Sequence, residues 1–154
     1  MLHKTRPLTQ HSTKWSASMA SRNGHCLCSK ISFTFTGQPV RSTICHCSNC
    51  RNRTGSLFSA HIWFSADQLS TDWQDCAQYS FETPAGRMMT NYFCRDCGTN
   101  LFFRTPIADP LIAVCAGTLD DANDWLSPGK ELFCRNRPDF LSIDGTDPFD
   151  TQPF

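Results

Sequence analysis

Seven of the ten cysteines in this chain fall into three short groups with the spacing of metal-chelating motifs. The groups are Cys26-Leu-Cys28, Cys45-His46-Cys47-Ser-Asn-Cys50 and Cys94-Arg-Asp-Cys97. Two thiolates on one tight turn can bind the same tetrahedral metal ion, and clustered cysteines in a reducing compartment indicate metal binding more than disulfides. Any fold of this chain must therefore bring distant turns together around metal ions.

The first and third groups complement each other as a closed structural zinc site. Cys26 and Cys28 would supply two ligands, and Cys94 and Cys97 the other two, which completes a tetrahedron. Gly98 suits a left-handed turn that directs backbone N–H groups toward the sulfurs. Such a metal would join the first strand to a central hairpin and contribute on the order of 10 kcal/mol to folding.

The middle group offers only three thiolates, Cys45, Cys47 and Cys50. A fourth tetrahedral position is left for water, a substrate or His46, and an open position is typical of catalytic zinc. Three anionic sulfurs favour binding of a thiol substrate over activation of water. His46 is a candidate proton relay. Two alternatives stay open: a second structural metal completed by a remote residue, and a redox-sensitive thiol cluster.

A short polar segment follows this cluster and is a candidate substrate-binding loop. Two guanidinium groups and a glycine-containing turn could together hold a carboxylate. The residues are Arg51, Arg53, Thr54, Gly55 and Ser56.

Charge and hydropathy narrow the class of protein. Residues 1–66 contain no acidic residue, yet the whole chain has 14 basic and 14 acidic residues and no net charge. This balance disfavours nucleic-acid binding, and no apolar run reaches the roughly 20 residues of a membrane span. We expect a disordered or targeting extension at residues 1–21 and a single zinc-binding domain at 22–154. A cytoplasmic location is expected, with mitochondria and nucleus left open, and a homo-oligomer is compatible with the sequence.

Short runs of β-branched and aromatic residues bounded by turn residues predict a mostly β fold. The predicted strands are 29–36, 57–64, 78–82, 87–93, 100–104, 111–116 and 131–135. Helical turns are expected only at 65–70 and 120–126.

The cysteine groups, together with Gly24, Thr54-Gly55-Ser56 and the segment Ala116-Gly-Thr-Leu-Asp120, resemble the glutathione-dependent formaldehyde-activating enzyme family, which includes the centromere protein V domain. The resemblance covers about residues 22–150. It implies a β-tent fold of small antiparallel sheets, two zinc ions per chain and the reaction class of the carbon–sulfur lyases. The structural zinc would lie on Cys26, Cys28, Cys94 and Cys97, and the catalytic zinc on Cys45, Cys47 and Cys50.

Three residues depart from the usual pattern of that family: Ser29 in place of Gly, Glu131 in place of His and Phe140 in place of Trp. The leading hypothesis is an enzyme that binds glutathione or another small thiol and makes or breaks a C–S bond with formaldehyde, another small electrophile or a conjugate. A zinc-stabilised binding module and a thiol redox sensor without turnover are the alternatives.

Overall fold

A computed structural model describes residues 21–122 and 129–153 of the chain. The predicted extension at 1–21 lies outside the described residues except for Ser21, and so do most of the predicted turn at 120–126 and the last residue of the chain. The extent of a single domain over 22–154 stays a prediction.

The described residues form eleven strands and one short α-helix. The strands are β1 (Ser21–His25), β2 (Ser32–Thr36), β3 (Arg41–Cys45), β4 (Ser59–Ser65), β5 (Leu69–Thr71), β6 (Cys76–Glu82), β7 (Met88–Cys94), β8 (Asn100–Arg104), β9 (Leu111–Cys115), β10 (Lys130–Leu132) and β11 (Asp147–Phe149). Helix α1 spans Ser48–Thr54.

The strands form two sheets, which confirms the mostly β prediction. A three-stranded antiparallel sheet has the order β1-β2-β5. The second sheet has the order β11-β10-β3-β4-β9-β8-β7-β6. Its pairs are antiparallel from β3 to β6, whereas β10 runs parallel to both β3 and β11.

The short apolar runs bounded by turn residues gave the better strand predictions, whereas the alternating run at 29–36 is a strand only over Ser32–Thr36. Strand β8 has the predicted bounds, and β4, β6, β7 and β9 differ from their predictions by at most two residues at either end. The predicted strand at 131–135 already ends at Leu132, because Phe133 adopts the left-handed backbone with φ of 57° and a 3₁₀ turn follows.

Two missed elements flank the middle cysteine group. Strand β3 has no apolar alternation because its last four residues are all buried between β4 and β10. Helix α1 has seven residues and few strong helix formers. Its ends are capped by Cys47, whose sulfur accepts the N–H of Cys50, and by left-handed Gly55.

Alternation along β4 separates the core from the functional face of the large sheet. Ile62 and Phe64 are fully buried in the main apolar cluster, where Phe64 stacks on Phe35 with ring centroids 4.1 Å apart. His61 and Trp63 point to the opposite face, as the period of two requires. The same strand therefore carries the core on one face and a cavity wall on the other.

Candidate active site

The first and third cysteine groups meet in one cluster, as predicted. The ligand atoms of Cys26, Cys28, Cys94 and Cys97 all lie within 4.8 Å of one another. The Cys26 and Cys28 sulfurs are 3.5 Å apart, and those of Cys28 and Cys94 are 3.7 Å apart. Four thiolates around zinc, at about 2.3 Å each, are separated by about 3.8 Å. The cluster therefore fits a tetrahedral zinc ion.

Two hairpin turns hold these sulfurs in place. Cys26 and Cys28 lie in the turn between β1 and β2, where the Ile31 backbone N–H donates to the Cys26 sulfur at 3.3 Å. Cys94 ends β7, and the predicted left-handed Gly98 is confirmed with φ of 72°. Its N–H donates to the Cys94 carbonyl at 3.0 Å, which closes the turn.

Ser29 is one of the three departures noted in the sequence, and it occupies a turn with unusual backbone geometry. Its φ is 60°, in the left-handed region where glycine is the least strained residue. The turn after the first cysteine pair thus keeps the backbone conformation that favours glycine although a serine occupies it.

The middle group forms a second cluster of three sulfurs within 4.8 Å of one another. Cys45 is the last residue of β3, and Cys47 and Cys50 belong to the cap and first turn of α1. The sulfurs perturb one another: the Cys45 thiol lowers the pKa of Cys47 by hydrogen bonding, and the same contact raises the pKa of Cys45. Three sulfurs this close deprotonate together only with a cation, so this cluster also fits a metal ion.

His46 lies apart from both the cluster and the cavity beside it. Neither ring nitrogen falls within the group of sulfurs, so His46 does not complete the coordination. The ring is fully buried and its Nε2 lies 2.8 Å from Oε1 of Glu131. Because the side chain does not line the cavity, its position does not support a proton relay to a molecule there.

A cavity of about 410 Å³ opens beside the second cluster. Its wall includes all three cysteines of the second cluster. Polar and aromatic side chains from β3, β4, β8, the β6–β7 turn and the segment after β10 also line it. They include His61, Trp63, Arg87, Phe103, Arg135 and Asn136. The cavity falls within the 300–1,000 Å³ range of small-molecule sites.

Among the described residues, the wall of this cavity carries arginine side chains but no carboxylate. Arg87 and Arg135 line it, and no Asp or Glu is among its described lining residues. Arg87 donates to the Gln152 side chain at 2.7 Å, whereas Arg135 is exposed and forms no hydrogen bond or ion pair within residues 21–122 and 129–153. The site therefore combines three sulfur ligands with two guanidinium groups.

The predicted binding loop is placed differently. None of Arg51, Arg53, Thr54, Gly55 and Ser56 lines the cavity. The Thr54 hydroxyl donates to the Cys50 carbonyl at 2.8 Å, and Gly55 ends the helix. Three of these residues are thus parts of helix α1, and Gly55 caps it.

Arg53 lies next to the cavity wall and holds one of its residues. Its guanidinium is 4.6 Å from the centre of the Phe103 ring and donates to the Ser59 hydroxyl at 3.1 Å. A further N–H of Arg53 contacts Nε2 of His61. Arg53 supports the site from outside the cavity.

The sequence analysis missed His61, Arg87 and Arg135. His61 is a lone histidine within a predicted strand, and only the register of β3 with β4 places it near Cys45. Arg87 and Arg135 stand near strand ends about fifty residues apart, and no motif connects them. The one available signal was the alternation of β4, which puts Ser59, His61 and Trp63 on one face.

Comparisons with known proteins agree with the geometry. The sequence profile of the family described as glutathione-dependent formaldehyde-activating enzyme matches residues 21–136, more than half of the chain. Relatives named after that enzyme occur in Aspergillus flavus and Aspergillus oryzae, each 28% identical over 120 residues, and in Pyrenophora teres f. teres, 28% identical over 106 residues.

The overlap with these relatives is partial. The match to each Aspergillus protein covers 75% of this chain and 62% of the relative, and the match to the Pyrenophora protein covers 69% and 52%. A crystal structure of a Rhodobacter sphaeroides protein is similar in fold, with a TM-score of 0.52 and 20% identity, covering 64% of this chain and 88% of that one. Within residues 21–122 and 129–153, no helix has the length and apolar character needed to cross a membrane.

Proposed function

The chain belongs to the glutathione-dependent formaldehyde-activating enzyme family, and from this premise we propose that it is a zinc-dependent enzyme of the carbon–sulfur lyase type. Its substrates would be a small anionic thiol, glutathione by the family description, and a small carbonyl compound such as formaldehyde. The proposal includes a cytoplasmic location.

One observation carries this proposal: all three cysteines of the three-sulfur cluster line the cavity of about 410 Å³, whereas no residue of the four-sulfur cluster lines it. A structural zinc has all its ligands from the protein, and a catalytic zinc keeps one position for water or substrate. Cys45, Cys47 and Cys50 would hold this zinc, and the chemistry it would supply there is stabilisation of the substrate sulfur as a thiolate.

The rest of the cavity is suited to binding the carboxylates of an anionic thiol. Glutathione carries two carboxylates, and Arg87 and Arg135 are the cationic side chains of the cavity wall. Guanidinium groups bind carboxylates through charge-assisted hydrogen bonds. No Asp or Glu carboxylate among the described lining residues opposes this attraction. We assign carboxylate binding to Arg87 and Arg135 in place of Arg51 and Arg53.

The reaction conserves atoms without an added oxidant or reductant. The thiolate sulfur attacks the carbonyl carbon and a C–S bond forms, while the electron pair of the C=O double bond moves to the oxygen. The thiol proton is released to solvent and the oxygen takes up one proton from solvent, so that no net proton is gained or lost. The reverse sequence breaks the C–S bond and releases the thiol. A larger glutathione conjugate cleaved in the same way is the alternative substrate.

Substitution of one ligand tests the proposal. Cys50→Ser is expected to abolish formation of S-hydroxymethylglutathione from glutathione and formaldehyde, followed by NMR, with the circular dichroism of the β sheets retained. Cys76→Ser is the matched control, because Cys76 is partly buried but lies in neither cluster. Catalysis by the Cys50→Ser protein at the rate of the unsubstituted chain would refute a reaction centre at this cluster.

A further inference from the structure

His61 lies on the cavity wall close to the second cluster. In the register of β3 with β4, Cys45 pairs with Ser59, so His61 is the diagonal neighbour of Cys45 on the same face. Diagonal neighbours in an antiparallel pair are roughly 7–8 Å apart. The His61 side chain is almost fully buried, yet it contributes to the lining of the cavity.

The hydrogen bonds of His61 determine which ring nitrogen carries the proton. Arg53 and Ser59 both contact Nε2 of the ring. A guanidinium group has donors only, so Nε2 must be the acceptor and therefore lacks a proton. A neutral imidazole with a bare Nε2 carries its proton on Nδ1. Arg53 thus fixes the tautomer of His61.

The protonated nitrogen is left available. Within residues 21–122 and 129–153, Nδ1 of His61 has no hydrogen-bond partner, and it is not among the fully enclosed polar atoms without a partner. Since the ring otherwise packs in a T-shaped pair with Phe103, with centroids 4.7 Å apart, the accessible part of the ring is the part that lines the cavity. The Nδ1–H group is therefore a donor open to a molecule bound there.

The ring also stays neutral. Burial lowers the pKa of His61 well below its ordinary value, and the positive charge of Arg53 lowers it further. A neutral imidazole can polarise a carbonyl group by donating a hydrogen bond to its oxygen. The adjacent guanidinium withdraws electron density from the ring and strengthens this donor.

We propose that His61 is a catalytic residue whose Nδ1–H donates a hydrogen bond to the oxygen of the carbonyl compound while the thiol sulfur adds to its carbon. This inference rests on the proposed function. His61 stabilises the negative charge that the oxygen gains as the C=O electron pair moves onto it, and it gives up no proton itself. Arg53 and Ser59 are positioning residues that act through Nε2.

The tautomer is the first test, and it does not depend on turnover. Nitrogen NMR of the zinc-loaded protein at neutral pH distinguishes a protonated from an unprotonated ring nitrogen. We expect the His61 ring to show protonated Nδ1 and bare Nε2. A proton on Nε2, or a doubly protonated ring, would overturn the inference.

Two substitutions then separate catalysis from folding. His61→Leu removes the donor and should lower kcat by roughly 100- to 1,000-fold, the usual effect of losing one oxyanion donor. The affinity for glutathione, measured by calorimetry, should stay unchanged. His61→Asn keeps an N–H donor near the position of Nδ1 and should retain kcat within about 10-fold. Equal losses in both variants, or full activity of His61→Leu, would contradict the role.

The experiments distinguish an error in the role of His61 from an error in the proposed function. If the zinc-loaded protein binds no glutathione, the proposed function is wrong whatever the tautomer of His61. If glutathione binds and reacts but His61→Leu reacts equally fast, only the role of His61 is wrong.

Discussion

Glu131 lies 2.8 Å from the Nε2 atom of His46, and both side chains are fully buried. The same carboxylate accepts hydrogen bonds from Arg137, at 3.0 and 3.1 Å, and from the Thr146 hydroxyl at 2.6 Å. Because His46 stands between two cysteines of the second cluster, this network joins the cluster to β10 and to the C-terminal turns. Glu131 is thus the centre of a buried hydrogen-bond network that links His46, Arg137 and Thr146.

Substitution of Glu131 should destabilise the protein. The negative charge of Glu131 compensates the charge of Arg137 and strengthens the hydrogen bonds from the other partners. Glu131→Gln removes this charge. Breaking a buried charge pair costs 3–5 kcal/mol in general, and because Arg137 is about a third exposed we expect about 3 kcal/mol. Urea unfolding of the zinc-loaded proteins measures the change. The exposed Glu82→Gln should change stability by less than about 0.5 kcal/mol, and an equal effect of the two substitutions would contradict the account.

The contribution of Glu131 to the free energy of unfolding should decrease as the pH falls. Burial raises the pKa of Glu131, but hydrogen bonds from Thr146, His46 and Arg137 together lower it below its ordinary value of 4.5. A carboxyl whose pKa is lower in the folded state stabilises the protein above the unfolded pKa and loses that effect as pH falls through the folded pKa. The stability difference between the unsubstituted protein and Glu131→Gln should therefore be constant from pH 7 to about 5 and shrink below about 4.5. A difference that grows on acidification would contradict this sign.

Arg135 should govern affinity for the thiol. Arg135→Ala removes a charged donor from the cavity wall and is expected to weaken glutathione binding about 10-fold, the effect of one charge-assisted hydrogen bond. Calorimetric titration of the zinc-loaded protein measures it. Arg104→Ala is the matched control, since Arg104 is partly exposed, pairs with Asp109 and does not line this cavity.

The same titration distinguishes the structural assignment from the sequence prediction. Arg51 lies on α1 but does not line the cavity, so Arg51→Ala should leave glutathione affinity unchanged. If Arg51→Ala weakened binding more than Arg135→Ala, carboxylate recognition would belong to the helix as the sequence suggested.

The four-sulfur cluster should be essential for folding. Cys94→Ser removes one ligand of a site that contributes on the order of 10 kcal/mol, more than the total stability of many domains of this size. The variant is expected to be unfolded by circular dichroism. Cys76→Ser is the control, because Cys76 pairs with Cys94 across β6 and β7 and lies outside both clusters. A folded Cys94→Ser protein with unchanged urea unfolding would contradict a structural role.

The sequence predicted the chelating groups well because their geometry is local. Only one or two residues separate neighbouring ligands, so Cys94 and Cys97 share one turn whatever the rest of the fold does. Strand β8 was predicted for a similar reason, since its short apolar run is bounded by turn residues. Patterns of this kind depend only on residues that are close together in the sequence.

The cavity depends instead on contacts between distant residues. His61 meets Cys45 only through the register of β3 with β4, and Arg135 reaches the wall because Phe133 adopts the left-handed backbone after β10. Burial of the last four residues of β3 removed its alternation, and the shortness of α1 weakened the helical pattern. Adjacency in sequence therefore suggested Arg51 and Arg53 as binding residues, whereas the fold uses Arg53 to hold His61.

The central claim is that this chain holds one structural and one open zinc site, and zinc content per chain tests it most directly. We expect native mass spectrometry to find two zinc ions in the unsubstituted protein and one in Cys45→Ser, with circular dichroism unchanged. One zinc in both proteins would mean that the second cluster holds no metal. Unfolding of Cys45→Ser would mean that the second site is structural, and either result would contradict the account.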